Sequence, residues 1–217
     1  MELLNVVMAR AVWLFDMNEL NPRGKSIFPE LLDWIKEAYG FEKVPSSVTD
    51  LDETKALSFS RGSFQVKEEI FVNVELKIYT DGLVANTWSS TRDAEAFLTD
   101  MLKSASEEFS LVYKPEVIRR KMYLSELHVS SILNLINVNP KLGEFSEKVS
   151  QLSHHEFEFA GLSFWPRQSF PPATISAFSF ERKINTDRDE YKYFSRAPFH
   201  TDEHFHLLEE LEQAFMA

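Results

Sequence analysis

The apolar positions of this chain follow two periods that alternate along its length. Val72, Val74, Leu76 and Ile78 alternate with Asn73, Glu75, Lys77 and Tyr79. Side chains two apart share a strand face, so this stretch predicts a half-buried strand. Asp81-Gly82 follows, a dipeptide that tolerates the positive φ of a hairpin turn, and Leu83–Trp88 predicts the returning strand. The period then lengthens: Ala94, Phe97, Leu98, Met101, Leu102, Ala105 and Phe109 recur at helical spacing. Ser90-Thr91-Arg92-Asp93 stands before them. A hydroxyl with a carboxylate three residues on satisfies free amides at a helix start.

The same reading extends to both ends. Val6–Asp16 predicts a strand with both faces partly covered, then a helix carrying Ile27, Leu31, Trp34, Ile35 and Ala38, capped by Ser26 and ended by Gly40. Val44–Thr54 reads as a loop, and Ala56–Val66 as a strand bulged at Gly62. The pattern restarts after Pro115. Arg119–Val129 predicts a strand, and Asn139-Pro140 opens a helix with Leu142, Phe145, Val149 and Leu152 on one side. Glu156–Trp165 predicts a strand, and Ser169–Pro172 a loop. Thr174–Ile184 and Tyr191–Arg196 predict a hairpin around Asn185–Asp189. Thr201 then caps a last helix carrying Phe205, Leu208, Leu211 and Phe215.

Strand–helix–strand–strand–strand–helix therefore occurs twice. The expectation is an α+β fold of tandem, pseudo-duplicated βαβββα halves, 1–114 and 115–217, each an antiparallel sheet with helices on one face. A lone half would leave a sheet face or edge open, so the halves are expected to pack as one body. This element order is similar to that of gyrase-inhibitor-like ligand-binding proteins and of tandem-repeat bacterial proteins. The likeness is of order alone and assigns no residue a role.

Composition narrows the function. The chain has 217 residues, 44% hydrophobic and 19 of them Phe, enough for a folded core with bulky packing. It has no cysteine, which removes disulfides and thiolate chemistry and fits a reducing compartment. The start, MELLNVVMARAVWLF, carries Glu2 where a signal peptide is basic, and no stretch has membrane-spanning length. A soluble cytoplasmic protein is expected. A net charge of −11 disfavours nucleic-acid and anionic-membrane partners. With 6 glycines and no phosphate-cradling loop or G-x-S-x-G, neither a nucleotide cofactor nor a serine-hydrolase elbow is expected.

Four groups of residues are candidates for function. Glu75-Leu76-Lys77 inside a strand resembles the PD-(D/E)xK nuclease core, which implies a metal-binding Glu75 and a water-steadying Lys77. The upstream acid would then be Asp50 or Asp52, which lie in a polar loop and not at a strand bend, and a cross-strand charge pair on a solvated face is the favoured reading of the two residues. His200 and His204 flank the last helix start; they are expected to be exposed histidines, with a metal-ligand role as the alternative, although no HExxH accompanies them. Asp202, Glu203, Glu209, Glu210 and Glu212 form an acidic helix with no Lys or Arg among them, a candidate surface for a basic partner. Trp13, Trp34, Trp88 and Trp165 are core residues or the walls of a ligand pocket between the halves. The expectation is a non-catalytic, acidic subunit binding a basic protein, such as a toxin, a nuclease or another bacterial defence component. A small-molecule-binding module and a metal-dependent nuclease are the alternatives, and self-association is left open.

Overall fold

The structure, a computed structural model, describes residues 1–24, 27–45, 56–167, 176–183 and 190–216, without the side chains of Ile136, Asn137 and Pro140. The expected cap Ser26, the acids Asp50 and Asp52, the loop Ser169–Pro172 and the turn Asn185–Asp189 lie outside the described residues. The fold is α+β, with eight strands and five α-helices among the described residues. No helix there is long and apolar enough to cross a membrane.

The chain divides into two compact units, described separately. The N-terminal unit is Met8–Leu124; the C-terminal unit is Ser125–Ala217 together with Met1–Val7. Strand β1 (Glu2–Leu14) contributes its first residues to the latter and its remainder to the former.

In the N-terminal unit, β1 is followed by a single helical turn, α1 (Met17–Leu20), and by α2 (Phe28–Tyr39). Strands β2 (Leu57–Lys67), β3 (Ile70–Tyr79) and β4 (Gly82–Thr87) precede the long helix α3 (Thr91–Phe109). The strand order is β2-β3-β4-β1, with antiparallel neighbours. Gly82 turns the β3–β4 corner at φ 156°, where an added Cβ would lie 2.1 Å from the Trp13 carbonyl oxygen. Gly62 follows Arg61, at φ 60°, across a register shift in β2, and its missing side chain leaves room for the Phe41 ring. Ser90 caps α3 as its pattern predicts, accepting from the Asp93 amide at 3.0 Å. Leu31, Ile35 and Tyr39 of α2 and Phe97, Leu98 and Met101 of α3 bury themselves against Trp13, Phe59, Leu76 and Leu83 of the sheet.

In the C-terminal unit the elements are β5 (Arg120–Ser130) from Ser125 on, a 3₁₀ turn (Leu135–Val138), α4 (Pro140–Ser153), β6 (Gly161–Phe164), β7 (Phe178–Arg182), β8 (Lys192–Ala197) and α5 (Thr201–Met216). The order is β6-β7-β8-β5, with antiparallel neighbours. Numbered within each unit, this is the same strand order as in the other. The core is smaller: Leu127, Val129, Leu133, Leu135, Phe180, Tyr193 and Leu208. Tyr193 stacks on Phe180 at 4.5 Å and donates its hydroxyl to the Leu133 carbonyl.

Several expected boundaries shift: β1 begins at Glu2 rather than at the expected Val6, and β7 spans Phe178–Arg182 within the expected Thr174–Ile184. The single strand expected over Glu156–Trp165 is a strand only at Gly161–Phe164. The Phe157 amide donates to Ser150 Oγ of α4 at 2.8 Å instead of entering a ladder, so the first half of this stretch leaves the sheet. Helix α5 includes Thr201 as its first residue, and the amide of His200 donates to Glu203 Oε2 at 3.3 Å. The capping position is thus one residue earlier than expected.

Candidate functional site

The predicted site residues are spread over both units. Glu75 and Lys77 project from β3 on the face opposite Val74 and Leu76. Glu75 Oε2 accepts from Asn86 Nδ2 at 3.1 Å, and Asn86 Oδ1 accepts from Arg10 Nε at 2.8 Å. The glutamate thus ends a polar row across three strands. Among the described residues no group of three or more His, Asp or Glu could hold a metal ion.

The candidate ligand His204 is a correction. It is wholly buried, not exposed, with its backbone amide on the His200 carbonyl at 2.8 Å. Its tautomer follows from its partner. Ser195 spends its one proton on the Ser179 carbonyl at 2.7 Å, so its oxygen must accept from His204 Nε2 at 2.8 Å. Nδ1 then carries the lone pair, buried and without a partner among the described residues. Burial pushes the imidazole down to about 4. With the ring closed off from solvent, this Ser–His contact is structural.

The acidic helix is corrected in one member. Asp202, Glu203 and Glu210 are exposed and Glu209 is half-buried, with His206 3.7 Å from Glu209 and 3.5 Å from Glu210. Glu212 is buried and faces inward. Its carboxylate accepts from Ser131 Oγ at 2.5 Å and the Ile132 amide at 3.1 Å, and it pairs with the α-amino group of Met1. Burial pushes its carboxyl up, but these donors outweigh burial and hold it below the ordinary range.

The tryptophans separate. Trp13 is core, and Lys121 Nζ lies 4.3 Å from its ring centroid. Trp34 packs edge-on against Tyr39 and Phe109. Trp88 and Trp165 are exposed. None of the four lines either cleft of the C-terminal unit or the cavity of the N-terminal unit described next.

What the structure brings together instead lies beside α4. Asn139 caps this helix, accepting from the Lys141 amide at 3.0 Å. At its other end His154 takes the left-handed conformation, φ 60°, and turns the chain back. Ser150 bonds the Ser146 carbonyl and holds the returning Phe157 amide. The returning stretch then meets β7, where the Arg182 amide donates to the Ala160 carbonyl at 2.7 Å. Arg182 Nη1 donates to Glu158 Oε1 at 2.9 Å.

These connections leave a cleft of about 660 Å³. Asn134, Ser146, Glu147, Ser150, Glu156, Phe157, Glu158, Phe159, Arg182 and Tyr191 are among its lining. A groove of about 270 Å³ continues it, walled by Leu142, Phe145, Val149, Phe157, Phe159 and Ala160. The two share Ser146, Phe157, Glu158 and Phe159. Among the described residues the lining holds three carboxylates to one guanidinium; the guanidinium is ion-paired to Glu158, and Glu156 has interactions of its own. Among the described residues that line the cleft there is no imidazole. In the N-terminal unit an apolar cavity lined by Leu20, Leu31, Ile35, Ile78, Leu83 and Leu102 holds about 90 Å³, well under the ~300 Å³ of an ordinary ligand pocket.

The cleft residues were not singled out by sequence reasoning. The available signal was Glu156-Phe157-Glu158-Phe159, an acid–aromatic alternation directly after an amphipathic helix. It reads as an ordinary strand until its amides are seen to lie outside the ladder. No protein-family model, curated protein or solved structure matches the chain.

Proposed function

We propose that this protein is a non-catalytic interaction subunit that holds a basic protein partner in the cleft beside α4. The observation that carries this reading is the cleft's charge: among the described residues Glu147, Glu156 and Glu158 line it against one arginine, Arg182, in a cavity of about 660 Å³. The chain's net charge of −11 and the exposed acids of α5 extend a negative field that would speed encounter with a basic surface. A reducing compartment such as the cytoplasm fits a cysteine-free chain. The shared strand order also leads us to read the two units as copies of one βαβββα ancestor.

Fluorescence anisotropy with labelled pentalysine, at low and at physiological salt, tests the reading. Binding is expected at low salt and weakens as salt screens it. The double variant Glu147→Lys/Glu156→Lys is expected to bind at least about tenfold more weakly, a loss of about 1.4 kcal/mol. Reversing Glu209 and Glu210 on α5 is expected to matter less. Absence of binding by the unmodified protein, or equal binding by the cleft variant, overturns the reading.

A further inference from the structure

The two units place a helix at the same point of the same strand order, and they fill the space beneath it differently. In the N-terminal unit that helix is α2, and the space is filled with the unit's own aromatic rings. Tyr39 lies 5.0 Å from Phe97 and 6.4 Å from Phe41; Phe41 lies 5.4 Å from Phe59, and Phe64 lies 5.6 Å from Phe97. In the C-terminal unit the helix is α4, and beside it is the cleft with its apolar extension. Phe145 is 64% exposed and Leu152 85%, although both lie on the apolar stripe of α4. Phe157, on the returning stretch, is exposed as well.

We infer that the cleft is completed by a short partner segment carrying an aromatic side chain flanked by lysine or arginine. The inference rests on the proposed function and adds to it what the segment must contain. Its aromatic ring enters the groove between Leu142, Phe145, Val149 and Phe157, doing for this unit what Phe41 and Phe59 do for the other. Its cations lie toward Glu147 and Glu156, whose negative charge stands next to that groove. Charge alone would accept any basic chain. The apolar groove is what would select among them, because an aromatic ring buried there leaves water while an alanine leaves most of the groove wet.

Three labelled peptides test this on the full chain: Lys-Lys-Trp-Lys-Lys, Lys-Lys-Ala-Lys-Lys and Glu-Glu-Trp-Glu-Glu. The tryptophan peptide with lysines is expected to bind about tenfold or more tightly than its alanine counterpart, the effect of burying one ring. The acidic peptide is expected not to bind. Phe145→Ser, which adds no charge, removes the tryptophan advantage and leaves the alanine peptide unchanged; because Phe145 is mostly exposed, the variant retains its melting temperature. Equal binding of the two lysine peptides, with both weakened by Glu147→Lys/Glu156→Lys, overturns the aromatic requirement and leaves the proposed function standing. Failure of both lysine peptides overturns the two together. A concentration-dependent dimer that Phe145→Ser dissociates assigns the groove to a second copy and overturns the inference. So do nuclear Overhauser contacts between the groove and the chain's own residues 168–175.

Discussion

Helices α2 and α4 look alike in sequence and behave differently in the fold. Each is amphipathic, each carries a proline in its first turn, and each follows the first strand of its unit. Helix α2 buries Leu31, Ile35 and Tyr39, and Tyr39 adds a hydrogen bond from its hydroxyl to Asp100 Oδ2 at 2.8 Å. Burial first, then that carboxylate, raise the phenol's pKa, so the ring stays neutral and donating. Helix α4 keeps Phe145 and Leu152 exposed. The difference lies in what stands opposite. Across from α2 are the aromatic side chains of β2 and α3; beside α4 is a returning stretch of alternating glutamate and phenylalanine, tied to the helix through Ser150. An apolar stripe stabilises a fold only when a second apolar surface meets it.

The largest test of this contrast is Phe97→Ala. It removes the ring that Tyr39, Phe41 and Phe64 all touch and is expected to cost about 3–5 kcal/mol in denaturant titration. A loss below about 1 kcal/mol would mean the aromatic cluster is not what anchors α2.

The C-terminal unit is expected to be the acid-sensitive one. His204 folds with its pKa lowered from 6.5 to about 4, so the unfolded chain binds the proton more readily. Stability is therefore full above pH 6.5 and is lost as the pH falls toward 4, by about 3 kcal/mol in all. Glu212, also held low, loses its donors' stabilisation in the same direction as it protonates. Hydrogen exchange across this pH range should show β7, β8 and α5 losing protection first. His204→Leu should flatten the dependence, and an unchanged slope in that variant would remove His204 as its source.

Smaller effects separate the two helices directly. Tyr39→Phe keeps the ring and deletes its hydrogen bond to Asp100, for about 1 kcal/mol, measured against Phe97→Ala in the same titration. Phe145→Ala on α4 should stay within about 0.5 kcal/mol of the unmodified protein, as for other exposed positions. The amides of α4 should exchange faster than those of α2. A destabilisation by Phe145→Ala as large as that of Tyr39→Phe would abolish the contrast.

Much of this fold was legible beforehand because it is local. The alternation of Val72 to Ile78, the turn at Asp81-Gly82 and the cap at Ser90 depend on neighbours in the chain, and each appears where expected. The misplaced features depend on distant partners. Glu212 shares a helix with four acids that face outward and turns inward to Ser131 and Ile132, more than 75 residues away. His204 looked like an exposed imidazole and is sealed against Ser195. The cleft combines Asn134, residues of α4 and of the returning stretch, Arg182 of β7, and Tyr191 just before β8, which no spacing in the chain relates.

Sequence by itself determined the class of fold, the order of its elements and the residues sharing each face. Periodicity records local geometry, and local geometry is set by the backbone and its turns. Only the tertiary structure decided which apolar faces are covered. It closed the space beneath α2 with Tyr39, Phe41 and Phe97 and left the groove beside Phe145 open. A stripe of apolar side chains specifies that a face needs a partner; the partner itself is supplied by chain far away.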